Sequence, residues 1–133
     1  MLKLGDTLHR PSGASNHLFA VIVGPVTIEN RGNAKQYVLV NFSSIKAHDG
    51  HDTSCEIKAG EHPSITRDSY AVYRKAEIVR EDDVLNAVAQ GVYKLATPCS
   101  PVLLSKAITG ALASKLISRE IKSLLLKNAK AHT

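Results

Sequence analysis

The apolar positions fall into two textures that meet near residue 80. Before it, short β-branched runs are broken by Gly, Pro and Asn; after it, apolar residues recur at helical spacing. Leu18 to Val23 is a continuous apolar run closed by Gly24-Pro25, the pattern of a buried strand. Gln36 to Phe42 (QYVLVNF) predicts a second such strand, and Thr27-Ile28 the beginning of one between them. Leu2 to Leu8 predicts a short edge strand, followed by a polar loop from Arg10 to Asn16. Asn30-Arg31-Gly32-Asn33, Asp49-Gly50 and Gly60-Glu61-His62-Pro63 mark turns. Cys55-Glu56-Ile57 is a short strand at best. Ser69 to Val79 reads as the last strand, with Tyr70, Val72 and Arg74 on one side and Ala71, Tyr73 and Lys75 on the other.

Three helices are expected beyond residue 80. Asp82 or Asp83 can cap the first, which Gly91 closes. Ser100-Pro101 starts the second, because Ser accepts from first-turn amides and Pro fits the first helical position. Its expected apolar stripe is Val102, Leu103, Ala107, Ile108 and Ala111. Ser118 can cap the third, with Ile121, Leu124 and Leu125 inward. Strands followed by helices predict a mainly β, α+β chain: a small β-barrel or strongly bent sheet of five to six strands, packed by two to three helices. The expected organisation is a single domain over 1–133, with the barrel in 1–80 and a helical tail in 81–133.

Composition narrows the class. At 44% hydrophobic residues, the 133-residue chain is not a disordered polymer. It has no apolar run of about 18 residues, which a membrane helix needs, and no signal-peptide pattern, so a cytoplasmic protein is expected. Its two cysteines, Cys55 and Cys99, read as free thiols. The net charge of +5 and pI of about 9.3 suit a polyanionic partner. Lys115, Arg119, Lys122, Lys127 and Lys130 concentrate near the C-terminus, where a solvated helix face is the simpler reading.

The order of elements resembles the MazF/PemK (Kid) family of toxin ribonucleases. The resemblance is one of layout over most of residues 4–125. It rests on Gly5-Asp6 at the first strand, a polar loop, LFAVIV, VLVNFSS, DSYAVYRKAEIV and a helical tail. The sequence departs from the family where Arg-Pro usually precedes the second strand: Asn16-His17 stands there, and the nearest Arg-Pro is Arg10-Pro11. It departs again where Pro-Ile-Thr-Ser usually ends a strand, reading Asn41-Phe42-Ser43-Ser44 instead. The resemblance implies an SH3-like barrel, a metal-independent endoribonuclease that leaves a cyclic phosphate, an antitoxin protein as partner and a homodimer. The alternative is a non-catalytic barrel that binds nucleic acid or a protein.

Cutting RNA without a metal requires a base for the ribose 2′-OH, a cation or donors for the charged phosphorane, and an acid for the leaving 5′-oxygen. His17, His62, Arg67 and Asp68 are the catalytic candidates. Histidine titrates near neutrality, the arginine fork matches a phosphate, and an aspartate can orient either. Arg10, Ser43, Ser44, Lys46 and Tyr70 are the candidates for binding RNA. His48, His51, Cys55 and His62 are competent zinc-ligand types, but H-x2-H-x3-C-x6-H matches no compact zinc motif, so neither metal nor cofactor is expected. No phosphate loop, Gly-x-Ser-x-Gly elbow, H-E-x-x-H or Rossmann glycine cluster is present.

Overall fold

The structure is a computed structural model, described for residues 2–12, 15–47 and 50–131. Seven strands and three helices follow one another: β1 (Thr7–Ser12), β2 (Ser15–Val26), β3 (Gln36–Ser44), β4 (Glu56–Ile57), β5 (Ser69–Ala71), β6 (Glu77–Arg80), α1 (Glu81–Ala89), β7 (Lys94–Ala96), α2 (Pro101–Ala113) and α3 (Arg119–Ala131). The architecture is mainly β with C-terminal helices, as the two textures predict.

The sheet is ordered β4-β5-β3-β2-β1-β7, and β6 also pairs with β3. All the described pairings are antiparallel. The long strand β3 serves two partners along one edge. Its first half, Gln36–Leu39, pairs with β6, and its end, Phe42–Ser44, pairs with β5. Among the described residues β4 and β7 do not pair with each other, so hydrogen bonds do not close the expected barrel. These end strands have two and three residues. The helices cover the open side instead.

Alternation along β2 and β3 gives the sheet two faces. Leu18, Ala20, Ile22, Val38, Val40 and Phe42 face α2 and α3, where Leu103, Ala107, Ala111, Ile121 and Leu125 complete the main core. On the other face Leu8, Phe19, Val21, Tyr37 and Leu39 form a smaller core closed by Val84 of α1. The difference in cover is the feature that matters for function: α1 shields only part of the second face and leaves the rest to polar side chains.

Several local expectations change. The polar loop after Leu8 is a strand in part, because Arg10 to Ser12 pair with Ser15 to His17; Gly13 and Ala14 lie outside the described residues. Gly24-Pro25 does not end β2, which continues to Val26 with register shifts between Val21, Val23 and Val26. Gly24 adopts a φ of 111°, and a Cβ there would lie 2.5 Å from the Gln36 carbonyl oxygen. Thr27-Ile28 begins no strand, and β7 was not foreseen. The single strand expected over Ser69 to Val79 is divided by a 3₁₀ turn at Tyr73–Lys75. That turn buries Tyr73, whose hydroxyl donates to the Ala107 carbonyl of α2 at 2.6 Å. Neither Asp82 nor Asp83 caps α1, whose N-cap is Arg80. The caps at Ser100 and Ser118 are as read, accepting from the Leu103 and Ile121 amides at 3.1 and 3.2 Å. In α2, Val102 turns outward, and the buried stripe is Leu103, Ala107, Gly110 and Ala111.

Candidate nucleic-acid interface

The strand register assembles the exposed half of the second face. Arg10 stands opposite His17, Phe19 opposite Asn41, Ser43 opposite Tyr70, and Tyr70 opposite Glu56. These side chains therefore share one side of the sheet. His17, Asn41, Ser43, Ser44, Lys46, His51, Tyr70, Val72, Arg74 and Lys75 line a cavity of about 160 Å³. Its polar inventory is two imidazoles, three cations and several hydroxyl or amide groups. His51, Tyr70, Val72 and Arg74 also form one wall of a neighbouring cavity of about 720 Å³, which extends to Lys115 and Leu116. The two make a continuous trough with Arg74 at their junction.

Larger hollows lie elsewhere, and each has an arginine held in an ion pair. Between the Val26–Arg31 segment and α3, Arg31 donates to Glu120 at 2.6 Å. Beside β6, Arg10 is ion-paired with Glu77, and its guanidinium lies 4.6 Å from the Phe19 ring centre and 5.8 Å from that of Tyr93. Arg10 is thus held down on the face next to His17 by an ion pair and two ring contacts.

The 50–56 segment is fixed to the helices. Asp52 accepts from the Ser54 amide and hydroxyl at 2.9 and 2.5 Å, and from the Ser114 hydroxyl, just past α2, at 2.5 Å. Burial acts to raise the Asp52 carboxyl, but the bonds from Ser114 and Ser54 outweigh it and hold the group below its ordinary range. A depressed carboxylate stabilises the fold above its unfolded-state value, near pH 4, and loses that contribution as pH falls through its folded value. The melting-temperature gap between the protein and Asp52→Asn should be full at pH 7 and shrink below about pH 4; a gap constant from pH 7 to 2 would contradict the assignment.

The other candidates lie apart from the cavity. His62 is buried beneath the opposite face of the sheet. Its Nδ1 accepts from the Ser64 amide at 2.9 Å, so Nε2–H donates to the Thr97 carbonyl at 2.5 Å. The nearby Thr7 pairs with Ala20 of the main-core face, whereas His17 belongs to the other. His62→Ala should therefore cost about 2 kcal/mol of stability in urea unfolding, from the cavity left by a buried ring and the hydrogen bonds it loses. Equal stability with abolished RNA cutting would contradict this structural role. Arg67 and Asp68 are exposed and run beside Ile45-Lys46, whose backbone is tied to them by Ile45 N–H donating to the Asp68 carbonyl at 2.9 Å. The Asp68 carboxylate accepts from Ala59 N–H at 3.0 Å.

His51, Asn41, Arg74 and Lys75 were missed as members of a nucleic-acid site. The signal for Arg74 was partly present: the alternating pattern puts it on one side with Tyr70 and Val72, and all three line the cavity, although Arg74 reaches it from the 3₁₀ turn. Among the described residues no three His, Cys, Asp or Glu side chains converge to hold a metal ion; His48 lies outside them. Both cysteines are free, and burial raises both thiols, that of Cys99 to about 11. They are protonated at neutral pH, which disfavours thiolate chemistry. No helix among the described residues is long and apolar enough to cross a membrane.

No protein-family model and no curated protein sequence matches the chain. Among solved structures, an endoribonuclease in complex with its cognate antitoxin, from a mycobacterial species, is similar at a TM-score of 0.47 and 15% identity, covering 85% of this chain and 93% of that one.

Proposed function

We propose that the chain is a toxin-like, metal-independent endoribonuclease that binds single-stranded RNA across the exposed half of the β2-β3-β5 face. The observation that carries this reading is the gathering of His17, His51, Lys46, Arg74 and Lys75 around one small polar hollow. Arg74 can hold the scissile phosphate through its planar fork and stabilise the charge that builds on the phosphorane. His17 takes the 2′-OH proton in this reading, and Asn41, Ser43 and Ser44 offer donors to the sugar-phosphate backbone. Tyr70 offers a ring for a base to stack on. Lys46, Arg67 and Lys75 extend the cationic track along the strand. An antitoxin protein would inhibit by laying an acidic segment over this surface. A homodimer belongs to the same proposal.

The test is incubation with end-labelled single-stranded RNA in EDTA, followed by analysis of the new ends. Discrete cuts that carry 2′,3′-cyclic phosphate and 5′-hydroxyl ends are expected. Intact RNA with salt-sensitive binding retained would replace the nuclease with a non-catalytic binding module.

A further inference from the structure

The hollow contains a histidine already paired with a carboxylate. His51 Nε2–H donates to Glu56 Oε2 at 2.8 Å, and the His51 side chain is only 16% exposed. Its ring lies 4.9 Å from that of Tyr70, tilted by 43°. Glu56 and Tyr70 are directly opposite on β4 and β5, so the sheet register itself sets the carboxylate beside the ring. Asp52, the next residue in the chain, is anchored to Ser54 and Ser114. His51 is thus held by its carboxylate, by an aromatic ring and by a tied-down backbone. Of its two nitrogens, Nε2 is committed to Glu56, and no described hydrogen bond occupies Nδ1.

We infer that His51 is the general acid of the RNA cleavage proposed above, with Glu56 as its positioning residue. The inference rests on that nuclease reading. Glu56 supplies the countercharge that an imidazolium needs in a partly closed site, whereas His17 has no described carboxylate partner and suits the base. In the reaction His17 removes the 2′-OH proton, and the 2′-oxygen forms a bond to phosphorus. The bond from phosphorus to the 5′-oxygen breaks, and that oxygen takes the proton from His51 Nδ1–H. The products are a 2′,3′-cyclic phosphate and a 5′-hydroxyl, with the proton count unchanged and no co-reactant required.

The experiment compares wild type, His51→Ala and Glu56→Ala on two RNAs, one ordinary and one with sulfur in place of the 5′-bridging oxygen at the cut. A thiolate leaves without protonation, so the sulfur substrate does not need an acid. On ordinary RNA His51→Ala should be slower by about 100-fold or more. On the sulfur substrate it should cut at close to the wild-type rate. Glu56→Ala, at a half-exposed surface position, should show the same pattern to a smaller degree, and it serves if His51→Ala does not fold. Variants slow on both substrates, or as fast as wild type on ordinary RNA, would overturn the acid assignment while leaving the nuclease standing. A wild type that cuts neither RNA removes the nuclease reading and this assignment with it.

Discussion

Arg74→Ala should lower RNA cleavage by about 100- to 1000-fold, the loss typical when one preorganised donor to a transition-state charge is removed. Arg74 is exposed on the 3₁₀ turn between β5 and β6, lines both parts of the trough and has no carboxylate partner among the described residues. Its charge is therefore available to a phosphate, unlike those of Arg10 and Arg31, which are paired with Glu77 and Glu120. The turn is held by Tyr73, buried against α2, so the arginine projects from a fixed base. Arg74→Lys should recover only part of the rate, because a lysine cannot reproduce the planar two-donor contact. Thermal stability should change little, since the side chain packs against solvent. Single-turnover rates with saturating RNA, alongside melting curves, check both statements. An unchanged rate would move the phosphate site elsewhere.

The largest effect on stability is expected at Gly110. A Cβ there would lie 2.5 Å from the Tyr73 hydroxyl oxygen, 2.7 Å from Cys55 Cβ and 2.8 Å from the Ser54 carbonyl oxygen. All three distances are below any ordinary contact, and Tyr73 and Cys55 are among the most buried residues. Ala in place of Gly gains about 1 kcal/mol of helix propensity, so propensity alone predicts a stabilising change. Overpacking a tight core costs about 1–3 kcal/mol or more and here should also displace the Tyr73 hydroxyl from the Ala107 carbonyl. The net expectation for Gly110→Ala is a loss of about 2 kcal/mol, and a larger one for Gly110→Val. Urea unfolding reads this directly. A more stable Ala variant would mean that α2 does not approach the 54–55 segment so closely.

The same glycine illustrates what sequence reading misses. In SKAITGALASK a glycine inside a helical pattern looks like a weakness, and only the third dimension shows that two elements meet there. Local signals were legible because their chemistry is local. Ser100-Pro101 starts a helix whatever lies around it, and the β-branched runs of β2 and β3 are buried as their composition demands. Closure of the barrel was not legible, since it depends on which strand ends reach one another. The break at Tyr73–Lys75 was hidden because Tyr73 belongs to the main core through α2, a contact 34 residues away.

For the site, the candidates His17, Ser43, Ser44, Lys46 and Tyr70 line one hollow, but that they meet depends on the pairing of β2, β3 and β5, which their residue types do not encode. His62 and Arg67 were attractive because a turn had gathered polar residues, yet His62 points into the opposite face of the sheet. His51 looked like one of several loop histidines. Its pairing with Glu56 and its contact with Tyr70 follow from the register of β4 on β5, which no local pattern encodes.

The most direct test of the central claim, that RNA lies on the exposed half of this face, is a titration of isotope-labelled protein. The ligand is a short oligonucleotide with 2′-deoxy sugars, which cannot be cut, and backbone amide shifts are followed by NMR. The largest changes are expected at His17, Asn41 to Lys46, His51 and Tyr70 to Lys75, weakening with added salt. Shifts centred instead on α3, around Arg119, Lys122 and Lys127, would contradict it.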